Sequence, residues 1–142
     1  MIKVSEMNNE KLCEAISELR EPKPQERGNV FPTWNTDSEQ FNWIWKVDVN
    51  ANNEHGYWKQ LNWLTAENWT RLLEEVAQKG DGWEIHIAYE NMDGMEPYAW
   101  RCYIARYTDD VKDFRSYYSK ADTKERAVCE VYAIAFGGGK YE

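Results

Sequence analysis

Histidine is almost missing from this chain: His55 and His86 are the only two in 142 residues. Nucleophilic catalysis of the triad type needs a histidine held between a nucleophile and an orienting group, so little material for it is present. His55 sits in an Asn-rich turn and reads as a solvated side chain. Cysteine is equally scarce. Cys13, Cys102 and Cys129 stand far apart with no CxxC or CxH spacing, and an odd, scattered set reads as free thiols in a reducing compartment. No HExxH or EF-hand pattern occurs, so metal ligands are wanting and no metal or cofactor is expected. Gly137, Gly138 and Gly139 follow a helical run instead of preceding one, which makes them a helix stop and not a phosphate cradle. The adjacent carboxylates Glu74 with Glu75, and Asp109 with Asp110, do not face one another as glycosidase acids must across a cleft.

Long apolar runs are also lacking. No window approaches the roughly eighteen apolar residues of a membrane helix. Ile2 and Val4 are isolated before a polar stretch, so no leader is expected and the protein is read as cytosolic. Positive charge is in deficit, with 17 basic against 25 acidic residues and a net charge of −8. A field of that sign repels nucleic acid and anionic lipid. Direct binding to either is therefore not expected. The charge serves solubility, or draws the protein to the basic nucleic-acid groove of another protein.

What the chain has in excess is aromatic rings: eight Trp and nine Tyr. Each buries a large area and carries a polar handle that wants a partner. They build a core from large side chains, or they form exposed platforms for a ligand or protein. Hydrophobic residues reach 42%, the ordinary globular level, and the length is that of one domain.

Leu12, Ala15, Ile16 and Leu19 recur at helical spacing over about 9–20, with Asn8 as N-cap; Pro22 and Pro24 forbid continuation. Residues 21–40 read as an irregular connection. Phe41, Trp43, Trp45, Val47 and Val49 alternate as a strand. Residues 57–64 fit a short strand or an aromatic loop. Thr65 is the expected N-cap of a second helix, with Leu64 and Trp69 placed as a hydrophobic staple. Trp69, Leu72, Leu73, Val76 and Ala77 supply its stripe and Gly80 its stop. Trp83, Ile85, Ile87 and Tyr89 alternate in a strand that turns through Asp93-Gly94 into a return strand over 98–107. A run over 114–119 continues the meander as an edge strand. The last helix begins near Thr123, with Asp122 as N-cap and Ala127, Val128, Val131, Tyr132, Ala135 and Phe136 as its buried stripe; the glycines leave a loose tail.

These elements assemble as an α+β domain: an antiparallel three- to four-stranded sheet with helices on both faces, an α/β/α sandwich in which the first helix covers the polar face. A single domain spans 1–142, its core over about 64–136, with the Trp-rich segment 31–63 as an addition.

Three stretches together, TAENWTRLLEEV, AWRCYIARY and TKERAVCEVYAIAF, follow the order of features seen in small phage proteins. Over about residues 64–136 the chain resembles the phage ABA sandwich family. The likeness lies in core-forming positions, so no functional residue carries over. It implies a phage or prophage accessory protein, of a kind that often acts against host defence.

Two candidate surfaces follow. On the sheet's polar face, Glu84, His86, Arg101, Tyr103 and Tyr107 form a ligand-binding candidate, with Arg106 near the edge: Arg forks grip phosphate and tyrosine rings stack on bases, a combination suited to a small nucleotide immune signal. Taken singly, each of these side chains is read first as packing beneath the first helix. Trp34, Trp43, Trp45, Trp58 and Trp63 exceed what one small core needs and form a protein-interface candidate, since Trp, Tyr and Arg anchor binding hot spots. Self-association would use the same rings. The leading expectation is a non-enzymatic inhibitor that blocks a host defence protein, with a sponge for a nucleotide signal as the alternative.

Overall fold

Asn8 opens the first helix as expected: its side-chain oxygen accepts from the Lys11 amide at 2.8 Å, satisfying one of the orphan donors of a helix start. The computed structural model describes residues 1–20, 43–47, 56–79, 82–107 and 115–142, with the backbone alone over 43–47 and 56–58. The connection over 21–40, Trp34, His55, Gly80, and the turn at Asp109 and Asp110 lie outside these residues.

In chain order, a 3-10 turn at Val4–Glu6 precedes α1 (Asn9–Arg20), β1 (Trp43–Val47), β2 (Gly56–Gln60), α2 (Ala66–Gln78), β3 (Trp83–Glu90), β4 (Ala99–Arg106), β5 (Arg115–Ala121) and α3 (Lys124–Phe136). The strands form two antiparallel sheets. One is the β1–β2 hairpin; the other has the order β3–β4–β5. The segment open to two readings thus contains a strand, β2, which turns out of extended structure before Trp63.

The three-stranded sheet has one apolar face. Its register sets Ile85 opposite Ile104 and Ile87 opposite Cys102, with Tyr117 and Ser119 beyond them on β5. α2 packs on β3 and α3 on β4 and β5, which is the α+β arrangement the periodicities imply. α3 is buried over most of its circumference, including Cys129, Glu130 and Ala133 outside the expected stripe. α3 lies between the sheet, α1 and α2, so apolar residues are needed on more than one of its sides.

α1 does not lie on the polar face of the sheet. It packs instead on α3 and β2, because Leu12, Cys13, Ala15 and Ile16 meet a second apolar side of α3 there. Leu12 and Ile16, fully buried, each contribute about 1.5–3 kcal/mol. The core therefore extends past 64–136 to include Val4, α1, Leu61, Trp63 and Tyr141.

Three local expectations are corrected. Thr65 stands at the N-cap of α2 but its hydroxyl donates to the Asn62 carbonyl at 3.1 Å instead of capping. At α3 the cap is Thr123, which accepts from the Arg126 amide, and not Asp122. The tail is not loose either. Gly138 and Gly139 turn the chain at φ +61° and +85°, and Tyr141 then bridges to Ile2, with Glu142 N–H donating to the Ile2 carbonyl at 2.9 Å.

A partly buried ionic cluster ties the amino-terminal segment to α3. Arg126 donates to Glu130 at 2.9 Å, to Asn9 at 2.8 Å and to the Val4 carbonyl at 2.8 Å. The second Glu130 oxygen accepts from Ser119 at 2.6 Å. Every strong group in this cluster has a partner, as burial requires.

Candidate functional site

Antiparallel register places directly opposed residues on one face of a sheet. His86 stands opposite Tyr103, and Tyr103 opposite Tyr118; in the next row Ala88, Arg101 and Lys120 align. The polar face is thus a ladder of His86, Tyr103 and Tyr118, flanked by Glu84 on one side and Arg101 with Lys120 on the other.

Arg101 holds this face together from the adjoining row of the same side. Its side chain is 1% exposed, and all three nitrogens donate: Nε to the Glu90 carbonyl at 3.1 Å, one terminal nitrogen to Glu96 at 2.9 Å, the other to the Tyr118 hydroxyl. Lys120 reaches the same Glu96 oxygen at 3.6 Å. The hydrogen bond from Arg101, with the charge of Lys120 adding, holds the Glu96 carboxyl below the usual carboxylate range. The guanidinium fork is therefore already occupied. Arg101 is a support for the surface and not an open grip for phosphate.

Tyr118, fixed by Arg101, lies against Tyr103 with ring centroids 4.9 Å apart. Burial, together with the neighbouring Tyr118 and Glu90, pushes the Tyr103 phenol up, so it remains a protonated donor. Tyr118 is 39% exposed. His86 and Glu84 form a hydrogen-bonded pair at 3.1 Å with side chains 64% and 53% exposed. Such exposure belongs to an open surface and not to an enclosing pocket, and an ion pair in that setting adds little to stability.

Tyr107 follows β4. Its amide donates to the Gly82 carbonyl at 2.8 Å, and its ring, 49% exposed, lies at the far end of the row from Arg101. Gly82 is required here: its φ is +84°, and a Cβ would meet the Tyr107 carbonyl oxygen at 1.7 Å. Of the five polar-face candidates, the register brings Glu84, His86 and Tyr103 onto one open surface. Arg101 is buried in the adjoining row of the same face, and Tyr107 stands at its margin.

Sequence reasoning missed Tyr118, Glu96 and Lys120. Tyr118 and Lys120 were within reach: the alternation of Ser116, Tyr118 and Lys120 puts them on the polar side once β5 is paired with β4. Glu96 lies in a loop, where no periodicity points to Arg101.

The tryptophan candidates separate sharply. Trp63 is fully buried, with its indole N–H donated to Ser17, and offers no ring to a partner. Trp34 lies outside the described residues, as do the side chains of Trp43, Trp45 and Trp58. The backbone pairs Trp45 with Trp58 across the β1–β2 hairpin.

The three thiols are buried. Burial pushes Cys102 up to about 12 and Cys129 well above the ordinary value, with Cys13 also raised. Thiols so protonated are weak nucleophiles. Among the described residues no three His, Cys, Asp or Glu side chains gather as a metal site would require, and no helix is long and apolar enough to cross a membrane. No protein family, characterised protein or solved structure matches the chain.

Proposed function

We propose that the chain is a non-enzymatic binding protein that acts by occupying a partner's surface, and that the partner is a defence protein of a bacterial host. The observation that carries the binding reading is the Tyr103–Tyr118 pair on an open sheet face, held from the adjoining row by the fully bonded Arg101. Rigid tyrosine rings give large contact area at low entropic cost. Small-ligand sites are concave and bury most of the ligand, whereas Glu84 and His86 stand out in solvent. That geometry favours a macromolecular partner over a nucleotide. The net charge of −8 suits a basic groove and speeds encounter with it. The assignment to phage and to anti-defence action draws on the family resemblance.

The test uses a bacterial host whose defence restricts a phage. Expression of the chain raises plaque formation, and the double variant Glu84→Ala/His86→Ala, which alters only exposed groups, reduces that gain while keeping the native melting temperature. Undiminished protection by the folded variant would contradict the assignment of this face. Heat released on titration with cyclic or linear nucleotides would favour sequestration of a signal instead.

A further inference from the structure

β3 is an edge strand of its sheet, and one bond identifies which of its main-chain groups face outward. The Tyr107 amide donates to the Gly82 carbonyl at 2.8 Å, and these two residues continue the β3–β4 register by one step. In an antiparallel pair, residues bonded to the partner strand alternate with residues that are not. Glu84, His86, Ala88 and Glu90 therefore turn their amides and carbonyls to β4. Trp83, Ile85, Ile87 and Tyr89 turn theirs outward. Among the described residues, no backbone hydrogen bond reaches these outward groups. Natural edges are blunted by lysine, proline or a bulge. β3 has none of the three: its eight residues pair with β4 without interruption. The opposite edge, β5, carries Arg115 and Lys120.

The helix layer reaches past this edge. α3 packs on β4 and β5, α2 packs on β3, and the two helices touch. Packed helix axes stand about 8–10 Å apart, and paired strands about 4.8 Å. With α3 over β4 and β5, its neighbour falls roughly two strand spacings away, at the outer side of β3. The side chains agree. Ile85 and Ile87 point to the helix side of the sheet yet stay only half-buried. On α2, Glu75 faces α3 through Tyr132, and Leu72 and Val76 are buried. Leu73 and Ala77 lie on the other flank of that stripe, half-buried and exposed. A fourth strand set against β3 would lie under α2 and cover these apolar groups.

We propose that the free edge of β3 takes up an extended segment of a partner protein, which adds a fourth strand to the sheet. Main-chain hydrogen bonds to Trp83, Ile85, Ile87 and Tyr89 supply affinity, and alternate side chains supply the choice of segment. One row of the segment is apolar and lies beneath α2, beside Ile85, Ile87 and Leu73. The other row lies beside Glu84, His86 and Glu90, where the two carboxylates favour lysine or arginine opposite them. A strand is the occupant because the outward groups recur at every second residue, which is its own period. A helix keeps its amides and carbonyls bonded internally. A second copy of the chain is the wrong occupant, since pairing β3 with β3 would bring two α2 helices into one space. The proposal rests on the reading of the chain as a binding protein. It uses the main chain of β3 and not the tyrosine ladder, so either can fail its test while the other passes.

The probe is a labelled synthetic peptide in which valine alternates with lysine and threonine, titrated against the full chain by fluorescence anisotropy. Two further versions carry N-methyl groups on one or the other set of alternate amides. The plain peptide binds; one methylated version binds about tenfold or more weakly, while the other keeps its affinity. Amide hydrogen exchange reads the same edge from the protein's side. In the free chain Ile85 and Ile87 exchange quickly and His86 and Ala88 slowly, and the peptide slows Ile85 and Ile87. Ile87→Pro replaces an outward N–H, spares the bonds to β4 and loses binding. The methylated peptides and the exchange rates use the native chain, so they decide the outcome whether or not that variant folds. Glu84→Ala/His86→Ala retains the difference between the two methylated peptides, which separates this edge from the tyrosine ladder. No binding, equal loss from both methylated peptides, or slow exchange of Ile85 and Ile87 in the free chain would each overturn the proposal. Exchange at these two amides that slows with protein concentration alone would also overturn it, since the occupant would then be a second copy.

Discussion

The indole N–H of Trp63 donates to the hydroxyl of Ser17 at 2.9 Å, and both residues are fully buried. Around this bond the three helices meet. The Arg20 guanidinium of α1 lies 4.6 Å from the Trp63 ring centroid and pairs with Glu75 of α2. The Tyr132 hydroxyl of α3 donates to the same carboxylate at 3.0 Å, and the Cys129 thiol donates to the Trp63 carbonyl. A tryptophan outside the regular elements thus joins α1, α2 and α3, and polar groups on each helix find partners beside its ring.

Ser17→Ala removes the acceptor and strands the buried indole N–H. A buried donor left without a partner costs about 1–3 kcal/mol. Denaturant unfolding of the variant is expected to show a lower midpoint with an unchanged slope. A midpoint equal to that of the wild type would show that the bond contributes nothing.

Glu96 makes stability sensitive to acid. Its folded value is depressed by Arg101 first and Lys120 second, so its contribution is present above the unfolded carboxyl value of about 4.3 and is lost as pH falls through the lower folded value. Arg101→Met removes the main cause and also leaves Glu96 and the Tyr118 hydroxyl without their donor. The variant is expected to melt below the wild type at neutral pH, with the difference narrowing as pH falls below about 4.3. A difference that is constant from neutral pH into acid would rule out the ion pair as its source.

Burial shields all three thiols. In the native protein Cys13, Cys102 and Cys129 are expected to react slowly with a disulfide reagent at mildly alkaline pH, and promptly once the chain is unfolded. Their folded values are raised, so the stability this confers is complete below the unfolded thiol value of about 8.5 and declines as pH rises above it. Rapid labelling of any one thiol in the folded protein would show that its burial is not maintained in solution.

Elements that carry their own periodicity were legible in the sequence. α1 and α2 follow from apolar spacing, and the β3–β4 pairing follows from alternation about an Asp-Gly turn. The placement of α1 was not legible, because Leu12 and Ile16 require an apolar surface without specifying which one. That surface became available on α3, whose Cys129 and Ala133 extend its apolar side beyond the stripe. Trp63 misled for a related reason: it lies outside any periodic element, and only the fold brings Ser17, Arg20 and Cys129 around it. For the candidate site, Glu84, His86 and Tyr103 could be assigned to one face by counting residues. The role of Arg101 could not, since its three acceptors come from β3, β5 and a loop. An arginine in alternating register looks like a free cation until those partners are known.

Site-specific photo-crosslinking tests the exposed tyrosine ladder most directly. A photoreactive residue placed at His86, and separately at Tyr118, is compared with one at the exposed Lys140 near the opposite end of the chain, in host cells expressing the protein. The expected result is one shared host protein crosslinked from positions 86 and 118 and absent from position 140. Crosslinks that appear equally from all three positions, or from position 140 alone, would contradict recognition through this face.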